Sequence, residues 1–176
     1  ATFKARNYSS SLEAHLDRNN IPTSVYHTLV EVASTCNDSL KKYLKLRKEV
    51  LGLDKYHTYD RFLTLAKSDK KYSYEDSKEL FFEAIKWLPE DFKEKAREVL
   101  APGFVDVYEG EGKRSGAYSS SMANLHPFIL LNHDNTLDSA FTVAHEAGHS
   151  IHSMYAAENQ PTMLQNYTIF VAEIAS

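Results

Sequence analysis

Apolar residues recur at helical spacing through most of the first hundred positions. Val25, Leu29, Val32, Ala33, Cys36, Leu40, Tyr43 and Leu44 form one stripe, which predicts a long helix over 22–51. Pro22 suits its first helical position and Gly52 its C′ position. Upstream, Ser10-Ser11-Leu12-Glu13 reads as a capping box that opens a shorter helix ending near Asn19-Asn20. Residues 53–72 form a polar, Tyr-bearing connection with one weak apolar run at 62–65. Ser73-Tyr74-Glu75-Asp76 then starts a helix running to about Leu88, and Pro89 starts another that ends before Pro102-Gly103.

After Gly103 the pattern changes. Residues 104–108 alternate as a strand does, Glu109-Gly110-Glu111-Gly112 is a loop, and 113–121 is small, polar and Tyr-bearing. The run 126–132 reads as a short buried strand. Residues 136–157 read as one helix, with Leu137, Ala140, Phe141, Ala144, Gly148, Ile151 and Tyr155 near helical spacing. Asn135 or Thr136 can cap its start, and Asp138 suits the dipole in its first turn. A turn around Asn159-Gln160-Pro161 leads to a second apolar helix over 169–176. The expected fold class is mainly α: a helical bundle with a small antiparallel β-sheet beside the 136–157 helix. The segment 3–6 reads as a helix tail and 169–176 as a helix still in progress, so the chain reads as a piece of a larger protein.

Composition narrows the function classes. The 176 residues are 43% hydrophobic and 25% charged, with a net charge of −4, which describes a soluble globular protein with one core. The mild acidity gives no support for nucleic-acid or anionic-membrane partners. No apolar run nears the roughly 20 residues that span a bilayer, and no signal-peptide pattern opens the chain. Cys36 is the only cysteine, so an intrachain disulfide is excluded. It reads as a small buried hydrophobe, and cytoplasmic residence is the expectation. The charged residues of 41–49 and 90–98 read as solvated helix faces.

The candidate chemistry lies in Thr142-Val143-Ala144-His145-Glu146-Ala147-Gly148-His149-Ser150, which contains HExxH. Two histidines four apart share one helix face, roughly 6 Å apart along the axis, so both imidazoles can lean onto one metal ion. Glu146 projects about 100° further round, where it can reach a metal-bound water without ligating. Such a pair can also be a capped or core pair, and the helix context favours the metal. His152 lies too far along the axis to complete the set, roughly 10 Å from His145, and reads as a neighbouring pocket residue or a packing residue, with packing favoured. Glu158 reads as a surface carboxylate. Glu173 lies among Ile169, Phe170, Val171 and Ile174, where a carboxylate is either paired or bound to metal. A returning helix would present it to the His pair; a buried ion pair is the alternative.

His145-Glu146-Ala147-Gly148-His149-Ser150-Ile151-His152, followed by Phe170-Val171-Ala172-Glu173-Ile174-Ala175-Ser176, resembles the M3 metallopeptidase family, in its oligoendopeptidase F branch. Gly112-Lys113-Arg114-Ser115-Gly116-Ala117-Tyr118 and Pro127-Phe128-Ile129-Leu130-Leu131-Asn132 are similar to that branch's segments upstream of the metal helix. The resemblance implies a zinc-dependent endopeptidase acting on short peptides in the cytoplasm. It implies one Zn2+ per chain held by His145, His149 and Glu173, with Glu146 as general base. It also implies that an extended peptide pairs with a strand bordering the cleft, with 115–119 nearby. On that reading 1–103 is a helical segment, and 104–176 is a small sheet with the HExxH and third-ligand helices, parts of one catalytic domain truncated at both ends. Full-length members continue past Ser176 with His and Tyr residues that bind substrate. Two other classes fit the same letters: a zinc hydrolase of a non-peptide substrate, and a helical interaction module whose HExxH is incidental. The sequence carries no signal of oligomeric state.

Overall fold

In the computed structural model, residues 2–66, 69–123 and 125–176 are described. The chain divides between residues 69 and 70 into two compact units.

The first unit contains α1 (Thr2–Ala5), α2 (Ser11–Leu16), α3 (Thr23–Thr35) and α4 (Asp38–Val50), with 3-10 turns at Asp17–Asn19 and Thr58–Phe62. Ser10 caps α2 by accepting from the Glu13 amide at 3.1 Å. The Glu13 carboxylate accepts from the Ser9 amide at 2.8 Å instead of from the cap residue, so the capping box is half formed. The single helix expected over 22–51 is two helices. Cys36 leaves helical geometry at φ −94°, ψ 47°, and the Asn37 side-chain amide donates to the Ser34 carbonyl at 3.0 Å. Asparagine competes in this way for helical carbonyls and favours turns. Gly52 adopts the expected left-handed conformation, φ +64°. The predicted apolar stripe is largely open: Leu29 is 62% exposed and Leu40 56%. Cys36 is exposed rather than buried.

Arg47, expected on a solvated face, is buried. Its guanidinium donates to the Tyr56 and Tyr43 hydroxyls at 3.1 and 3.3 Å and to the carbonyls of Asp60, Arg61 and Leu63. Bonds from the two tyrosine hydroxyls push its pKa above the usual arginine value. Of the expected connection 53–72, residues 67 and 68 lie outside the described residues.

The second unit holds α5 (Tyr74–Ala84), α6 (Glu90–Val99), β1 (Val105–Asp106), β2 (Tyr118–Ser120), β3 (Phe128–Leu130), α7 (Leu137–Asn159), a 3-10 turn (Thr162–Leu164) and α8 (Ile169–Ala172). Ser73 and Asp76 form the full capping box of α5, which ends four residues short of Leu88. Strand order is β1-β3-β2. β3 runs antiparallel to β2, with Ser119 opposite Ile129, and parallel to β1, with Val105 also opposite Ile129. The sheet is therefore mixed, where an antiparallel one was expected. The chain leaves β1, lays β2 at the far edge and returns through the centre as β3. The intervening 107–127 exceeds the dozen or so residues that a parallel pair needs.

One core joins these elements. Phe81 of α5, Ile85 at its C-cap, and Ala96, Val99 and Leu100 at α6 pack with Ile129 and Leu131 around Val143, Ala147 and Ile151 of α7. The α7 boundaries and its Thr136 cap follow the sequence pattern. Its buried face is rotated from the one expected: Val143 and Ala147 are fully buried, while Phe141 is 68% exposed and Leu137 47%. Small residues let α5 and the sheet approach that side closely. Tyr155 donates to Asp91 at 2.8 Å, and Lys95 pairs with Glu158, tying α7 to α6.

Candidate active site

Helix α7 turns its core residues one way and its histidines the other. His145 is about 200° round the axis from Val143, and His149 lies one turn above it. Glu146 falls on the flank between, and it is 5% exposed. The two Nε2 atoms are 3.1 Å apart. The imidazoles meet edge to face, with centroids 4.6 Å apart.

The third group comes from the segment after α7. A polar turn, 160–168, is held against the helix by Tyr167. Its ring stacks on His152 at 3.8 Å, and its hydroxyl lies 2.8 Å from Ser153 Oγ and donates to the His149 carbonyl at 3.4 Å. His152 thus packs against the returning segment, the favoured of its two expected readings. α8 follows as a single turn, shorter than expected, closed by Glu173 at its C-cap. A segment this short gains little from helical hydrogen bonds alone. Glu173 Oε2 lies 3.9 Å from His145 Nε2. One ligand-type atom from each of His145, His149 and Glu173 falls within 4.8 Å of the others. The stripe expected to bury Glu173 is open, however: Ile169 is 64% exposed and Ile174 76%. Ala172 is the buried residue of α8.

The two imidazole nitrogens stand near the spacing that a tetrahedral divalent ion needs, with the Glu173 carboxylate a little further out. Zinc–nitrogen bonds of about 2.0–2.1 Å at tetrahedral angles put two ligand nitrogens roughly 3.3–3.4 Å apart, and the Nε2 atoms stand at 3.1 Å. Beside them Glu146 Oε2 is buried with no hydrogen-bond partner among the described residues. Burial pushes the Glu146 carboxyl above its usual value, opposed by the His145 and His149 rings and by the Ser119 backbone amide.

β2 borders this site. Ser119 shares a 2.8 Å hydroxyl contact with Ser150 of α7, and Ser150 is fully buried. The strand is thereby fixed to the helix that carries Glu146. A groove of about 760 Å³ runs alongside, lined by Phe81, Ile85, Phe92, Ala144, His145 and Glu146 among others. Sequence reasoning named the histidines and both glutamates but missed Tyr167 and the Ser119–Ser150 pair. Only the segment 115–119 carried a hint of the latter.

The fold agrees with comparison to known proteins. The family model for peptidase family M3 matches residues 3–176, and the chain belongs to that family. It is 42% identical over 174 residues to oligopeptidase PepF of Bacillus subtilis (strain 168), covering 98% of this chain and 26% of that protein. It is 40% identical over 171 residues to an oligoendopeptidase F homolog of Lactococcus lactis subsp. lactis (strain IL1403), covering 97% and 28%. A crystal structure from Chlamydophila abortus, provisionally described as a peptidase, superposes with a TM-score of 0.80 at 38% identity, covering 98% of this chain and 29% of that one. The chain thus spans between a quarter and a third of the length of these relatives.

Proposed function

We propose that the protein carrying this chain is a zinc-dependent endopeptidase that hydrolyses peptide bonds in oligopeptides, in the cytoplasm. The observation that supports this most is the convergence of His145, His149 and Glu173 beside the buried carboxylate of Glu146. The names of the relatives, oligopeptidase and oligoendopeptidase F, point to the substrate class. Among the described residues no helix is long and apolar enough to cross a membrane.

His145, His149 and Glu173 would hold the ion, leaving one position open. A zinc ion there would make its bound water far more acidic and would polarise the scissile carbonyl. Glu146 takes the proton of the attacking water on its carboxylate and delivers it to the leaving amine. The Ser119–Ser150 contact fixes β2 to the helix that carries this carboxylate. An extended peptide lies along the edge of β2, paired through its backbone.

The test is Glu146→Gln in the full-length polypeptide as encoded. Peptide cleavage falls by about 10²–10⁴-fold, the range for a general base, while zinc stays bound at one per chain. Undiminished cleavage would sink the base assignment. Protein purified without stoichiometric metal would favour the interaction-module reading, and turnover of small amides or esters over peptides would favour the non-peptide hydrolase.

A further inference from the structure

Gly148 stands inside α7, immediately before His149. Glycine is a poor choice in a helix interior, where alanine forms the helix better. The reason is not in the helix. A Cβ at position 148 would sit 2.3 Å from the Ala175 carbonyl oxygen, and 3.1 and 3.2 Å from Ser176 Cα and Ala175 C. All three are main-chain atoms, so no rotamer change relieves the overlap. Restoring an ordinary contact of at least 3.4 Å would push that backbone away by more than an ångström.

The crowded backbone begins two residues after Glu173. Little else seats this segment on α7: Ile169, Phe170 and Ile174 are exposed, and Ala172 is the side chain of α8 that is buried. The approach of the 172–176 backbone to the bare face of Gly148 therefore sets how near the Glu173 carboxylate comes to the two imidazoles. Its present separation from His145 Nε2 is 3.9 Å, and a shift of that size opens the ligand set beyond the reach of one ion.

We propose that Gly148 is a positioning residue for the metal: by lacking a side chain it lets the chain after α8 dock on α7, and so delivers Glu173 to His145 and His149. This rests on the metal-site reading above. Gly148 offers no ligand atom to the metal and acts through Glu173.

The experiment uses the full-length polypeptide in four forms: unaltered, Gly148→Ala, Glu173→Ala and the double variant. Zinc affinity is read by competition with a chromophoric chelator, coordination by the visible spectrum of the Co(II)-substituted protein, and folding by the melting temperature of the metal-free protein. Gly148→Ala weakens zinc by about ten- to a hundredfold, the usual cost of disturbing a ligand's support. It also brings the Co(II) spectrum to that of Glu173→Ala. Its metal-free melting temperature stays level or rises, because alanine favours the helix. In the Glu173→Ala background the same change costs no further affinity. Equal zinc affinity and an unchanged Co(II) spectrum in Gly148→Ala overturn the proposal. So does a full additional loss in the double variant, or a metal-free protein that melts lower or fails to fold, since each makes Gly148 a packing residue only. If the unaltered protein takes up no zinc, the metal reading itself fails, and the result is distinct from the others.

Discussion

His133 shows how a buried titratable side chain can lock one joint of the fold. Its Nδ1 accepts from the Asn135 amide at 3.2 Å, so Nε2 carries the proton and donates to Ser77 Oγ at 3.0 Å. Ser77 in turn donates to the Ser73 carbonyl at 2.8 Å. Burial lowers the His133 pKa, with Asp134 opposing weakly. The folded state therefore holds the ring neutral, and the unfolded chain takes up the proton first as pH falls. Stability from this group is full above the ordinary histidine range and is lost as pH drops through it. Melting temperature should fall as pH is lowered from 8 to 5, and His133→Gln should make that fall shallower. The variant should also lose about 0.5–1.5 kcal/mol at pH 8, the usual worth of one hydrogen bond, because Ser77 keeps its bond to the Ser73 carbonyl and loses the one from the ring. At this scale the sequence was informative where chemistry is local. His145, Glu146 and His149 were legible because one helical turn fixes their relation. Tyr167 was not, because its contacts with His152 and Ser153 arise only when the 160–168 turn folds back.

At the scale of the element, propensity and pattern located most helices but not which side they bury. The start and end of α7 were readable from its cap and its apolar run. Its buried face was not, because Val143 and Ala147 are small, and Leu137 and Phe141 gave a stronger but misleading signal. The break between α3 and α4 turns on one asparagine that prefers a carbonyl three residues back to the helical ladder. Arg47 was the largest departure. A basic residue in a charged run reads as solvated, yet this one collects three carbonyls and two phenols around the chain that follows α4. Lysine cannot reproduce that fork. Arg47→Lys should lower the urea midpoint of the first unit clearly more than Arg61→Lys does, since Arg61 lies exposed. Equal midpoints would show that the network contributes little.

Over the whole molecule, the division of the chain into helical and sheet-bearing parts was visible in sequence as a change of period near Gly103. The compact units part earlier, between 69 and 70, because α5 and α6 share their core with the sheet and α7. No local pattern announces such sharing. Metal, where it binds the folded form alone, stabilises by mass action: about 2.7 kcal/mol when its free concentration is a hundred times Kd. Thermal melts with added zinc should therefore rise with concentration, and His149→Ala should abolish the rise. A rise that persists in that variant would place the ion elsewhere.

The open leucines of α3 and α4 have a practical consequence. A face of that kind behaves as an adhesive in water, and its stickiness grows with sulfate and fades in dilute urea. Added sulfate should accordingly promote self-association of this stretch, and dilute urea should reverse it.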